Sequence, residues 1–194
     1  MKIINRAAFS LLELLVGVAI FFIIIGAVFS LLISGKRAFE VGNVQVEVEQ
    51  EARRALDYMS KELRQSSANK IQAPADGASS STIIFEIAYN VDNSADGDVI
   101  NSFGAIEWSD DAGVSRIGTI TYSLLGGQIL RNLSFTGEQS VLANRITALT
   151  FNRPAGRAIV EISLTAEKYA LTGFTSSGSP KVTINLNTEL SLRN

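Results

Sequence analysis

From Leu14 to Ile33 the chain runs for twenty residues without a formal charge. At 1.5 Å per residue such a run matches the roughly 30 Å hydrocarbon core of a bilayer, so it predicts a membrane-crossing helix. Ahead of it, Met1 to Ala8 carry Lys2 and Arg6 and no acid. That bias keeps a short segment on the cytoplasmic side. One carboxylate, Glu13, stands at the edge of the apolar run. An acidic side chain at mid-bilayer is unfavourable by about 2.5–3.5 kcal/mol, less near the ends, so Glu13 requires a cationic partner.

Three readings compete for this N-terminus. A secretory signal has an apolar core of roughly 7–15 residues followed by a small-residue cleavage site. Here the core is longer, and Leu32-Ile33-Ser34-Gly35-Lys36 offers no such site. An uncleaved signal anchor suits the length but gives Glu13 no role. The third is a resemblance. Ala8-Phe9-Ser10-Leu11-Leu12-Glu13-Leu14-Leu15-Val16 is similar to the processing motif of type IV prepilins and their pseudopilin relatives.

That resemblance implies a cut by prepilin peptidase between Ala8 and Phe9, with N-methylation of Phe9. Family members usually carry glycine at the position of Ala8. It also implies that Glu13 pairs with the terminal amine of a neighbouring subunit during assembly. An α-amine with a pKa of about 8 is mostly protonated at neutral pH. In the low dielectric of lipid its attraction to a carboxylate is strong, and the pair fixes register because a lone charge is left in an apolar surround.

Composition narrows the function classes. Seventeen basic against nineteen acidic residues give a net charge of −2, and loss of Lys2 and Arg6 with the leader leaves −4. No basic excess points to nucleic acid. The absence of cysteine leaves stability to packing, even for a domain placed outside the cytoplasm. The absence of histidine removes His-based triads and the usual zinc sites, and no short catalytic motif is present. The expectation is a protein that is not an enzyme and needs no cofactor.

Beyond the apolar run, Val41, Val44, Val48, Ala52, Ala55, Leu56, Met59 and Leu63 recur at three- and four-residue steps, which predicts one apolar helical face. Charged residues, Glu47, Glu49, Arg53, Asp57, Lys61 and Glu62 among them, occupy the other faces. Glu49–Arg53 and Asp57–Lys61 have the favourable i,i+4 order. No proline interrupts the stretch, so one helix is expected from Phe9 to about Ser66. Gly17, Gly26 and Gly35 are its weak points, and Gly17 and Gly26 equally permit close helix packing in lipid.

After Ser66 the pattern turns to strands between Gly, Ser, Asn and Asp. Pro74 to Ser81 reads as a loop. Strands are expected at Thr82–Tyr89, Arg116–Leu124, Gln128–Leu133, Ile146–Asn152, Ala158–Ala166 and Val182–Leu192. Gly126-Gly127 suits a primed hairpin turn, and Asn152 to Gly156 suits another connection. One long helix followed by antiparallel strands is an α+β order, with the sheet wrapped on the helix's apolar face. The expected organisation is a leader over 1–8, an apolar helix over 9–35, its amphipathic continuation over 36–67 and a β-rich domain over 68–194.

This layout resembles the pilin fold. Glu51 to Met59 with Leu63-Arg64, and the strand ending in Leu192-Arg193-Asn194, are similar to the larger minor pilins and the J-type minor pseudopilins of type II secretion. The resemblance implies a structural subunit that initiates, primes or caps a filament. Its partners would be other pilin or pseudopilin subunits, prepilin peptidase, an inner-membrane assembly platform and membrane lipid. It would sit in the cytoplasmic membrane with its C-terminal domain outside, or in a periplasmic or cell-surface filament. The alternatives are a signal-anchored binding domain and a DNA- or surface-binding minor pilin.

Three weaker signals remain. Asp92, Asp96 and Asp98, with Gly97, resemble the start of a calcium loop, but Phe103 occupies the place of the closing glutamate and ordinary turn chemistry explains the same residues. Arg145, Arg153 and Arg157 can meet at one sheet end, yet no interleaved aromatics accompany them. Trp108 fits an exposed anchor for a partner or, better, a core position, because Ile106 and Trp108 alternate with Glu107.

Overall fold

The computed structural model describes residues 11–89, 99–100, 103, 105–109, 118–170 and 181–193. It divides into two compact units, Met1–Asn43 and Val44–Asn194, and helix α1 (Leu11–Leu63) begins in the first and ends in the second. From Leu14 to Ile33, in the first unit, the helix is apolar on every side, and no residue of its most apolar stretch is buried by its own chain. It is long and apolar enough to cross a membrane.

In the second unit the helix has one apolar face. Val48, Ala52, Ala55, Leu56, Met59 and Leu63 are buried, with Val44 packed at the margin, as the spacing predicts. Glu49 and Arg53 pair at 2.6 Å. Asp57 and Lys61, expected to pair likewise, do not come within ion-pair distance. The helix stops at Leu63, slightly before the expected Ser66. The Gln65 and Ser66 amides turn back to the carbonyls of Glu62 (2.9 Å) and Leu63 (3.0 Å), a tightened last turn that satisfies end carbonyls.

A 3₁₀ turn at Ala68–Lys70 leads into the strands. These are β1 (Ile71–Ala73), β2 (Ser79–Ser80), β3 (Thr82–Phe85), β4 (Ile120–Leu125), β5 (Gln128–Leu133), β6 (Gln139–Asn144), β7 (Ile146–Asn152), β8 (Ile159–Tyr169) and β9 (Lys181–Ser191). They form two antiparallel sheets rather than the single wrapped sheet expected. One has the order β1-β3-β4-β5-β6 and the other β2-β7-β8-β9. Both sheets and the helix face share one core, with Ile83, Phe85, Ile120, Tyr122 and Ile129 from the first sheet and Leu149, Phe151, Val160, Ile162 and Leu164 from the second. The Phe85 and Tyr122 rings lie 5.8 Å apart.

The β4–β5 hairpin is as expected: Gly126 (φ 58°) and Gly127 (φ 78°) take the left-handed angles a primed turn needs. The chain changes sheet between β1 and β2, again between β2 and β3, and last between β6 and β7. Arg145 separates β6 from β7 at φ 61°, a conformation rare for a residue with a Cβ.

Three further expectations change, and one strand, β6, was not among those expected. The expected loop at Pro74–Ser81 contains β2, whose two residues pair with Asn152 and Phe151. The expected Thr82–Tyr89 strand ends at Phe85, after which Ala88 makes only an isolated bridge to Trp108. Strand β6 carries no clean alternation: only Ala143 is fully buried, so its pattern does not mark it as a strand. The alternation around Trp108 is inverted, with Glu107 only 7% exposed and Trp108 partly exposed. The Lys70 ammonium lies 5.2 Å from the centre of the Trp108 ring, a cation–π contact that suits a half-covered indole.

Phe151 is fully buried where β7 meets the core. Phe151→Ala should lower unfolding stability by about 3–5 kcal/mol, while Thr150→Ala on the outer face should stay within about 0.5 kcal/mol of wild type. Denaturant unfolding of the detergent-solubilised chain followed by circular dichroism measures both.

Candidate functional site

The described part of the first unit offers an exposed apolar surface. Leu11, Leu12, Leu15, Phe22, Ile23 and Leu31 are all well exposed, and Glu13 lies exposed in the first turn of α1. A carboxylate there also meets the positive end of the helix dipole. Gly17, Gly26, Gly35 and Gly42 have open space where a Cβ would stand. Each weakens the helix by up to about 1 kcal/mol relative to alanine. Packing within the chain therefore gives no reason for them. Ala8 and Phe9, the expected cleavage pair, lie outside the described residues, as do Asp92, Asp96 and Asp98.

The second unit ties its helix to its sheets through three polar clusters. In the first, Glu62 of the last helical turn faces Tyr122 and Arg131, register partners on β4 and β5. Arg131 grips it with a fork, Nη2 to Oε1 at 2.8 Å and Nε to Oε2 at 3.1 Å, and the Tyr122 hydroxyl donates to Oε2. The pair is nearly buried, at 14% and 13% side-chain exposure. The guanidinium also lies 5.9 Å from the centre of the Tyr58 ring. Burial, followed by the charge of Glu62, pushes the Tyr122 phenol well above its ordinary value of 10.0. Burial works against the Arg131 charge, but the hydrogen bonds and charge of Glu62 outweigh it and hold the guanidinium above its ordinary range.

The second cluster lies near the start of this unit. Glu47 takes Lys168 at 2.5 Å and Arg145 at 3.2 Å, and Arg145 also reaches Glu51 at 3.6 Å. The other oxygen of Glu51 accepts the Asn144 backbone amide at 2.8 Å. These contacts hold the strained corner at Arg145 against the helix. The hydrogen bond from Lys168 is the largest cause that lowers the Glu47 carboxyl from its ordinary 4.5. At 52% exposure, solvent screens much of that attraction.

In the third, Arg153 lays its guanidinium against the carbonyls of Ala68 (2.5 Å) and Ile71 (3.3 Å), with Asp76 at 3.8 Å. It thereby pins the segment that leaves the helix. Arg145 and Arg153 stand at opposite ends of β7 and both are engaged with the fold, so the three arginines do not gather into one patch. Among the described residues no three Asp, Glu, His or Cys side chains come together to hold a metal ion.

The sequence reading missed the Glu62–Tyr122–Arg131 cluster. Its signal was present: Glu62 lies three residues after Met59 and one before Leu63, at the rim of the apolar face rather than opposite it. Comparison with protein-family models, with curated proteins and with solved structures found no match.

Removing the Glu62 carboxylate leaves Arg131 and the Tyr122 hydroxyl without their acceptor. Glu62→Ala should lower stability by about 3 kcal/mol or more. The raised Tyr122 pKa has a definite sign: its contribution is complete below the unfolded value of 10.0. Above that pH the unfolded chain loses a proton that the folded one keeps, so stability should fall by up to about 1.4 kcal/mol per pH unit. Alkaline titration by tyrosinate absorbance should find Tyr122 ionising only with unfolding. Early, fully reversible ionisation of every tyrosine in the folded protein would contradict this.

Proposed function

We propose that this chain is a structural subunit of a type IV filament system, a minor pilin or minor pseudopilin that helps to initiate, prime or cap a filament. The carrying observation is the combination at the start of α1: an apolar helical surface uncovered by its own chain, with the single carboxylate of Glu13 in its first turn. The resemblance of Ala8 to Val16 to the prepilin processing motif gives that combination a chemistry. Cleavage after Ala8 frees the Phe9 amine, and an adjoining subunit's Glu13 neutralises it among packed apolar helices.

The α+β arrangement of the second unit supports the reading. There the same helix gives its remaining apolar face to the sheets, leaving the first stretch for lipid or neighbouring helices. The open space at Gly17 and Gly26 suits close helix approach in such a bundle. In this account the second unit selects neighbours, requires no cofactor, and carries out no catalysis. Whether the filament serves a pilus or a secretion apparatus does not change the mechanism.

Glu13→Ala should leave membrane insertion and leader removal intact while reducing incorporation into sheared filaments at least tenfold, since a buried cation that loses its partner is unfavourable by about 3–5 kcal/mol. Immunoblots of the membrane and filament fractions give the readout. Wild-type incorporation of the variant would defeat the pairing mechanism.

A further inference from the structure

Glu189 of β9 stands directly opposite Glu161 of β8. Leu192 donates its N–H to Ala158 at 2.8 Å, so by the alternation of an antiparallel ladder the even-numbered residues of β9 are the ones bonded to β8. Glu161 and Glu189 therefore form a non-bonded pair, the type whose Cα atoms stand only about 4.5 Å apart with side chains closest. Like charges in that position are destabilising. The Asn152 side-chain amide reaches Glu161 at 2.8 Å, but among the described residues no cation comes within ion-pair distance of Glu189. At the other end of the strand Lys181 holds Glu167 at 2.7 Å and is half exposed.

Strand β9 is also the open margin of its sheet, whose order is β2-β7-β8-β9. Its eleven residues pair with β8 from Lys181 opposite Tyr169 to Ser191 opposite Ile159 without a bulge, and it holds no proline. Folds blunt such a margin by shortness, bulges, proline or charge. Between Lys181 and Glu189, β9 carries none of these. Its odd-numbered residues turn their N–H outward, and Arg193 obeys the same rule by donating to Ser66 at 3.0 Å. Among the described residues, the outward amides of Thr183, Asn185, Asn187 and Glu189 donate to no other backbone group. On the inner side a cleft of about 170 Å³ lies between Leu56, Asp57 and Ser60 of α1 and Leu186 to Thr188 of β9.

We propose that β9 pairs with β9 of a second copy of this chain, antiparallel, about a two-fold axis at Asn185. The strand is its own complement in that register. With Asn185 opposite Asn185, the outward amides of the two copies face each other, and Lys181 of each copy lies opposite Glu189 of the other. Each Glu161–Glu189 pair then gains the cation it lacks. On the inner face Ile184 meets Leu186, and Val182 meets Thr188, which covers two aliphatic side chains that the fold leaves half-buried. Sliding the pairing by two residues takes Lys181 away from Glu189, and sliding it by one sets inner-face residues against outer-face ones. The bridge from Ser67 to Arg193 lies beyond the paired stretch and does not obstruct it. A different polypeptide would have to bring the same spacing of base, aliphatic residues and acid; a second copy carries it already.

The pairing uses the second unit alone. It invokes neither leader removal nor the Glu13 pair, so its failure leaves the proposed function standing, and the reverse holds.

The chain contains no cysteine, so introduced cysteines report the pairing in the full chain in detergent micelles under mild oxidation. Opposed residues of a hydrogen-bonded pair have Cα atoms about 5.5 Å apart, within disulfide reach. Asn185→Cys should give a disulfide-linked dimer. Thr183→Cys should not do so by itself, because the two copies of that position lie about 13 Å apart along the strands. Mixed Thr183→Cys and Asn187→Cys chains should cross-link to each other. In the Asn185→Cys background, Lys181→Glu or Glu189→Lys should weaken association about tenfold, and the two together should restore it. No dimer from Asn185→Cys overturns the proposal and leaves the margin to another partner. Equal yields from Asn185→Cys and Thr183→Cys overturn it too, because collision within the micelle then accounts for both. So does a double charge exchange that fails to restore what the single reversals remove. The cysteine comparison decides the matter even if a charge variant does not fold.

Discussion

An apolar helical surface that its own chain leaves bare has to be covered by something else. Each large aliphatic or aromatic side chain moved out of water is worth about 1.5–3 kcal/mol, and between Leu11 and Ile33 most positions carry such a side chain. That stretch is long and apolar enough to cross a membrane, a medium in which its side chains need no cover from their own chain. The helix is apolar all round there and on one face only where it meets the sheets.

The change from one regime to the other is written into a single element. Up to Ile33 the apolar residues are nearly continuous; from Val44 they thin to every third or fourth position. The sheets close over that narrower stripe, and polar ties fix the closure at both of its ends. Glu47 and Glu51 hold the corner at Arg145, and Glu62 is gripped by Arg131 and Tyr122 near the helix terminus. Only the second of these is well shielded from water, so it contributes more to holding the helix against the first sheet.

Periodicity made much of this legible. Val48 to Leu63 alternate at helical spacing because one face is buried, and the hairpin glycines mark a backbone that other residues rarely adopt. What escaped had physical reasons. Strand β6 pairs through its backbone on one side only and buries little, so its side chains carry no alternating record. Glu107 turns inward where its backbone meets Val99 and Tyr89, segments distant in sequence, so its own two neighbours do not reveal which face is covered. The last change of sheet, from β6 to β7, turns on Arg145, and an arginine gives no local warning of its left-handed angle. The role proposed for Glu13 rests on the motif around it, since Ala8 and Phe9 lie outside the described residues.

The account stands on the identity of the mature N-terminus. Intact-mass and N-terminal fragment spectra of the chain, extracted from membranes of a host with an active prepilin peptidase, read it directly. The predicted species begins at Phe9, carries one added methyl on its terminal nitrogen, and lacks the eight residues from Met1 to Ala8. A chain that still begins at Met1, with its basic leader attached, would contradict the account.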